Sequence, residues 1–222
     1  MYLTKLINSD IKAYKITDIK LKISGISCDS RQIKKGMLFV VINGNTKDSI
    51  KYITEAIKSG ATAILCKNTD LKTIKKKINN ILVCKNIRLA IANIAKQFFP
   101  RQPDHISAVT GTNGKTSVVN FLYDIWKKNK VKGACFGTLG IKYDGINKKT
   151  KLTTLDSISL HKELNLAKEK KINFLAMEAS SHALDQSRLD KVKIKYGLFT
   201  NLSRDHLDYH KNMKKYFLCK SK

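Results

Sequence analysis

Seven residues constrain this 222-residue chain more than any others: Thr110-Gly111-Thr112-Asn113-Gly114-Lys115-Thr116, set between an apolar, strand-like run and a helix-like run. Glycines in such a turn let backbone N–H groups point inward, and the start of a helix adds the positive end of its dipole. That is a cradle for phosphates. Lys115 can reach the β- and γ-phosphates of a nucleotide, the Thr116 hydroxyl can bind Mg²⁺, and Ser117 follows in the first helical turn. The pattern departs from the strict phosphate-loop motif, because Val109 stands where its first glycine belongs. A strand-to-helix turn containing Gly-Lys-Thr by accident is the bland alternative. The apolar strand before the turn and the helix after it favour the cradle, with ATP as the default nucleotide.

A loop of this kind belongs to an alternating α/β fold, and the rest of the chain agrees. Met37 to Ile42, Ala61 to Cys66 and Ile81 to Cys84 are short apolar runs that read as buried strands. Between them Ile50, Ile53, Ala56 and Ile57 recur at helical spacing, and Gly60 supplies the stop. A second helix is expected from Arg88 to Phe99. Both prolines fall at Pro100 and Pro103, which end that helix and mark a domain boundary. A small amino-terminal α/β domain over residues 1–100 is expected, followed by an ATP-binding domain over residues 104–222. In the second, strand His105 to Val109, helix Thr116 to Lys128, and strands Ala134 to Leu139, Phe174 to Met177 and Tyr196 to Thr200 imply an open, mainly parallel sheet. Ligands then sit at the carboxyl ends of its strands.

Composition limits the alternatives. With 42% hydrophobic residues the chain can bury a core. Its 43 Lys+Arg against 17 Asp+Glu give a formal charge of +26, which would suit a nucleic-acid or anionic-membrane surface. The lysines are scattered, however, in short clusters such as Lys75 to Lys77 and Lys168 to Lys171. Lysine also far outnumbers arginine, and Gly and Pro are scarce. Biased codon usage absorbed at the surface is the preferred explanation, so neither a nucleic-acid nor a membrane partner is expected. Cys28, Cys66, Cys84, Cys135 and Cys219 are odd in number and never spaced as CxxC, which fits a reducing cytosol better than a disulfide or zinc framework. The first residues carry Lys and Asp too early for a signal peptide, and no apolar run is long enough to span a bilayer. A cytoplasmic protein is expected.

Two further segments carry ionisable groups after apolar strands. Glu178, in Met177-Glu178-Ala179-Ser180-Ser181-His182, is placed to ligate Mg²⁺ on the sheet edge that bears the phosphate loop. Taken alone it reads more readily as a solvated strand end. Thr200 to His210 (TNLSRDHLDYH) is dense in polar residues, yet His206 alone is more often a surface or packing histidine.

Together, TGTNGKT, MEASSHAL and TNLSRDHLDYH, in that order, resemble the Mur ligases, and the likeness extends over nearly the whole chain. Cys28-Asp29-Ser30-Arg31 with Gly36-Met37-Leu38-Phe39-Val40 is similar to the family's amino-terminal, UDP-holding domain. Thr116 argues against folylpolyglutamate synthases, which usually place Gly after the loop lysine. The three segments together resemble the branch that adds the third amino acid to the UDP-linked peptidoglycan precursor, since the other Mur ligases usually replace the loop's Thr112-Asn113 pair.

The resemblance implies roles. Gly111 to Ser117 would bind ATP; Thr116, Glu178 and His206 would position Mg²⁺. Lys220 falls where the family carries a lysine converted by CO₂ into a carbamate, an anionic metal ligand; from spacing alone it reads as a solvated charge. Cys28, Ser30, Asn45, Thr46 and Lys47 would contact the UDP-MurNAc portion, and Thr153, Thr154, Ser180, Gln186 and Arg188 the dipeptide end, where a guanidinium suits a carboxylate. Leu152 and Leu155-Asp156-Ser157 depart from the family pattern. The substrates would be UDP-MurNAc-L-Ala-D-Glu and a diamino acid, diaminopimelate or lysine, and a monomer is expected. The resemblance implies that the ATP-binding domain is incomplete here: the family's remaining sheet strands and its carboxyl-terminal domain are not in these residues, so the 222-residue chain is expected to have little or no ligase activity alone. Amide formation by it would contradict that expectation. The alternative is a non-catalytic binding remnant or one piece of a split enzyme.

Overall fold

The computed structural model describes residues 1–42, 47–75 and 78–222, without the side chains of 47, 48, 50 and 73. The chain divides into two compact units, Met1–Phe98 and Phe99–Lys222.

The first unit is a five-stranded sheet in the order β1-β5-β4-β3-β2, from β1 (Ile11–Lys15), β2 (Gly25–Ser27), β3 (Met37–Val40), β4 (Ala63–Lys67) and β5 (Ile81–Cys84). β1 runs antiparallel to β5 at one edge, and the remaining pairs are parallel. β4 and β5 are apolar and buried on both faces, the pattern of parallel strands covered by helices. Helix α1 (Lys47–Lys58) crosses from β3 to β4, α2 (Leu71–Ile74) lies between β4 and β5, and α3 (Ile87–Phe98) follows β5. Ile53 and Ala56 of α1 pack with Phe39, Ile64, Cys66, Ile74 and Ile81 in one core.

The second unit contains β6 (His105–Thr110), α4 (Lys115–Lys128), β7 (Gly133–Gly137), β8 (Gly140–Tyr143), β9 (Ile146–Lys148), α5 (Ser157–Glu169), β10 (Phe174–Glu178), α6 (Ser181–Asp185), β11 (Tyr196–Phe199), α7 (Leu207–His210) and α8 (Met213–Lys220). Its sheet order is β11-β6-β10-β7-β8-β9. The first four strands are parallel, and β7, β8 and β9 form an antiparallel meander. In register Glu178 lies opposite Val109, and Phe199 opposite Thr110, so the carboxyl ends are level. Ile106, Phe136, Leu160, Leu164, Leu175 and Met177 build the core on one face; Val109, Val119, Cys135 and Ala176 build it on the other.

The mainly parallel α/β architecture agrees with the sequence reading, and several boundaries move by a residue or two. β1, β2, the β8–β9 hairpin and α5 were not foreseen. The hairpin had a local signal: Asp144-Gly145, both at positive φ, make the turn that suits a two-residue connection. Asp156 caps α5, accepting from the N–H groups of Ile158 and Ser159. All five cysteines are free. Among the described residues no helix is long and apolar enough to cross a membrane.

Candidate functional site

The carboxyl ends of β6, β7, β10 and β11 converge on one polar cavity of about 180 Å³. It is lined by Lys115, Thr116, Thr138, Thr153, Glu178, Ser180, Ser181, His206, Tyr216 and Lys220. The phosphate loop is held by the segment after β11. The Thr112 N–H donates to the Asn201 carbonyl at 2.9 Å and the Asn113 N–H to Asn201 Oδ1 at 3.1 Å. Thr200 Oγ1 donates to the Asn113 carbonyl at 2.6 Å. Gly111, at φ 139°, is pressed against this brace: a Cβ there would overlap Thr200 Oγ1. Gly114 caps α4 in the left-handed region, leaving the first N–H groups of the helix open toward an anion. Ser117 is exposed in that first turn.

Two ammonium groups meet at the loop. Lys115 Nζ donates to the carbonyls of Gly111 at 2.8 Å and Thr112 at 2.7 Å, and Lys220 Nζ donates to the same Gly111 carbonyl at 2.7 Å. Burial lowers the Lys115 pKa, against the pull of Glu178 and Asp205. Burial first, then the Lys115 charge, push Lys220 down to about 8. Lys220 is 5% exposed, so the solvated charge read from its spacing is corrected. It comes last in α8, whose Tyr216 and Cys219 face inward with it and carry it under the loop. Two cations on one carbonyl form a site awaiting negative charge.

Glu178 is 1% exposed, not the solvated strand end its sequence context suggested. Thr116 Oγ1 donates to its Oε2 at 3.0 Å. Thr138 donates its N–H to Oε1 at 2.8 Å and its hydroxyl to Oε2 at 3.3 Å. Sequence reading missed Thr138, although its place just after β7, level with Glu178, was a usable signal. Gly137 lets the carboxylate approach, since a Cβ there would overlap Oε1. His206 stands in the left-handed region at φ 52°, its side chain near Asp205 (Nε2–Oδ2 3.4 Å) and edge-on to His182 at 4.8 Å. A non-glycine residue held there is locally strained, as happens at functional sites.

Thr153 and Thr154 reach the same rim. The Thr153 and Thr138 hydroxyls meet at 3.1 Å, while Thr154 Oγ1 donates to the Glu178 carbonyl at 2.8 Å and accepts the Ser180 N–H at 3.0 Å. The Arg188 guanidinium donates to the Thr154 carbonyl at 2.9 Å and to Gln186 Oε1 at 2.8 and 3.2 Å. Leu152, where the family places a polar residue, is an exposed loop side chain.

The first unit has its own cavity, of about 490 Å³, lined by Cys28, Ser30, Arg31, Phe39, Ser49 and Tyr52 among others. Ser30 Oγ donates to Glu55 Oε2 at 2.7 Å, and Arg31 forks onto Asp29, whose pKa it lowers. Asn45 and Thr46 lie outside the described residues, and Lys47 opens α1 with its side chain undescribed.

Donor chemistry tests whether Mg²⁺ fits. Among the described residues no three His, Cys, Asp or Glu side chains group closely enough to cage a metal. One carboxylate with threonine hydroxyls is instead a hard-oxygen set that leaves room for waters and substrate phosphates, the arrangement Mg²⁺ favours.

Residues 109–222 match the Mur ligase middle domain, and residues 22–99 match the Mur ligase family catalytic domain. The chain belongs to the Mur ligase family. UDP-N-acetylmuramoyl-L-alanyl-D-glutamate–2,6-diaminopimelate ligases are among its similar relatives. That of Mesorhizobium japonicum is 40% identical over 200 residues, 90% of this chain and 41% of the relative. That of Bradyrhizobium diazoefficiens is 42% identical, again over 90% of this chain and 40% of the relative. A solved structure of a ligase with the same name superimposes with a TM-score of 0.80 at 27% identity, covering all of this chain and 44% of the other. This Mur ligase chain thus spans about 40% of the length of the curated relatives it matches. A MurF ligase from Thermotoga maritima in complex with ADP shares the fold, with a TM-score of 0.55 at 21% identity.

Proposed function

We propose that these residues belong to an ATP-dependent, amide-forming ligase that extends UDP-MurNAc-L-Ala-D-Glu by a diamino acid, with diaminopimelate favoured by the relatives' names. The carrying observation is the single cavity in which Thr116, Glu178, Lys115 and Lys220 converge beside the phosphate loop. In this reading the loop from Gly111 to Ser117 grips the ATP phosphates. The Thr153–Thr154–Ser180 rim, with Gln186 and Arg188, holds the dipeptide end, and the Cys28–Ser30 cavity with Asn45, Thr46 and Lys47 holds the UDP portion.

The reaction is carboxylate attack on the γ-phosphate, releasing ADP, followed by amine attack on the acyl phosphate with loss of phosphate. Two anions must approach, so the main tasks are positioning and charge neutralisation. Lys115 contributes a fixed positive charge, and no side chain acts as nucleophile. Thr116, Glu178 and His206 would hold Mg²⁺, which when bound offsets the phosphate charge. The lowered pKa of Lys220 leaves part of it as neutral amine near neutral pH. CO₂ can add to that amine with loss of a proton, making Lys220 a carbamate ligand. The enzyme would work in the cytoplasm as a monomer, without nucleic-acid or membrane partners.

Hydroxylamine trapping tests the reading. Little or no amide is expected from these residues alone, but the acyl phosphate forms before the amine enters, so ATP, Mg²⁺ and UDP-MurNAc-L-Ala-D-Glu should yield the acyl hydroxamate, and omission of any component should abolish it. Since the chain spans about 40% of its relatives, a second reading is a binding module. Saturable binding of both nucleotides without hydroxamate would select it.

A further inference from the structure

Tyr216 lines the ATP cavity together with Lys115, Glu178 and Lys220, and neither composition nor motif spacing singled it out. It lies on α8 one turn before Lys220, the spacing that stacks two side chains on one helix face. It is fully buried. Lys220 Nζ sits 4.7 Å from its ring centroid, so the ring bounds the space that nitrogen occupies whichever charge it carries. The ring of His210 lies 5.2 Å away and that of His206 6.4 Å away, edge-on.

Its hydroxyl meets Thr112 Oγ1, in the phosphate loop, at 3.2 Å. Thr112 is itself tied to the segment after β11, its Oγ1 paired with both the carbonyl (3.2 Å) and the N–H (2.9 Å) of Ser203. A buried hydroxyl is costly unless bonded, and a Phe would fill the same space without that cost. Here the bond is made to the loop that receives the phosphates.

We infer that Tyr216 is a positioning residue of the ATP site, its hydroxyl setting the phosphate loop through Thr112 while its ring seats Lys220. The inference rests on the proposed function. Docking of α8 and the shape of the loop are thereby coupled: neither is correct without the other. Hydroxyl and ring act on different partners, so their removals should have different consequences.

Tyr216→Phe keeps the ring and removes the hydroxyl. It should weaken ATP–Mg²⁺ binding about 3- to 10-fold while leaving affinity for UDP-MurNAc-L-Ala-D-Glu within about twofold, the scale of one hydrogen bond. Tyr216→Leu also removes the seat of Lys220. It should lower hydroxamate formation about 100-fold at saturating ATP, and Tyr216→Phe should restore most of that. The decisive comparison is a double-mutant cycle read by calorimetric ATP titration, on variants whose near-UV circular dichroism matches the parent. In a Thr112→Val background, Tyr216→Phe should have no further effect. Additive losses, or a Tyr216→Phe protein that binds ATP like the parent, would overturn the inference and leave the ligase reading standing. A parent protein without ATP affinity would instead overturn the ligase reading.

Discussion

Glu178 shows how a buried charge is kept by its surroundings: two threonines donate three hydrogen bonds to its oxygens, and no lysine or arginine pairs with it among the described residues. On the proposed reading, such a carboxylate receives a cation that arrives with the nucleotide. Glu178→Gln preserves shape and an acceptor for the Thr138 N–H but removes the charge. The Mg²⁺-dependent part of ATP affinity should fall at least about tenfold with little change in melting temperature, measured by titration across Mg²⁺ concentrations. Lys220 is the opposite case. Its folded pKa of about 8 lies below the usual lysine value of 10.5, so the folded state binds fewer protons than the unfolded one between those limits. Stability contributed by this group therefore rises with pH from about 8 to 10.5, and below 8 the buried charge carries its full penalty. Lys220→Met should be more stable than the parent at pH 7, by about 1–3 kcal/mol, and lose that advantage by about pH 10. Paired thermal melts at the two pH values check both the sign and the window.

The helices end in a way that reflects the shortage of glycine. After α4, Lys130 stands at φ 57° while the Val131 N–H reaches back to the Trp126 carbonyl; after α5, Lys171 at φ 60° is followed by the Ile172 N–H donating to Ala167. These are helix stops that normally use glycine in the left-handed position, as Gly60 does after α1. Lysine there is strained, so Lys130→Gly and Lys171→Gly should each raise stability by about 0.5–1 kcal/mol in chemical denaturation, despite the entropy glycine adds to the unfolded chain. Strongly buried elements were legible: β5 matched its apolar run, and α3 and α4 were found within a residue at each end. Elements that failed to announce themselves are half-exposed or short. β1 has one buried residue in five, and β9 none. The candidate site could be read where its residues cluster in sequence, as in Gly111 to Thr116, whose Lys115 and Thr116 line the cavity. Thr138 and Tyr216 could not, because their importance arises only when β7 and α8 are folded against Glu178 and the loop.

Among the described residues, each of the two units has a core of its own strands and helices. Residues 1–98 expressed alone should therefore give a single cooperative thermal transition by circular dichroism; a broad, non-cooperative melt would show that the unit is incomplete. The charge of +26 extends over the whole chain and would draw anionic nucleotides, but it selects none of them. Selection is assigned to the geometry around Gly111, Lys115 and Glu178. Calorimetric titration of the protein with ATP at fixed Mg²⁺, beside Lys115→Ala, tests that assignment directly. Saturable binding that needs Mg²⁺ and weakens at least about tenfold in the variant is the expected result. A well-folded protein with no measurable ATP affinity, or with affinity indifferent to Lys115, would contradict the account.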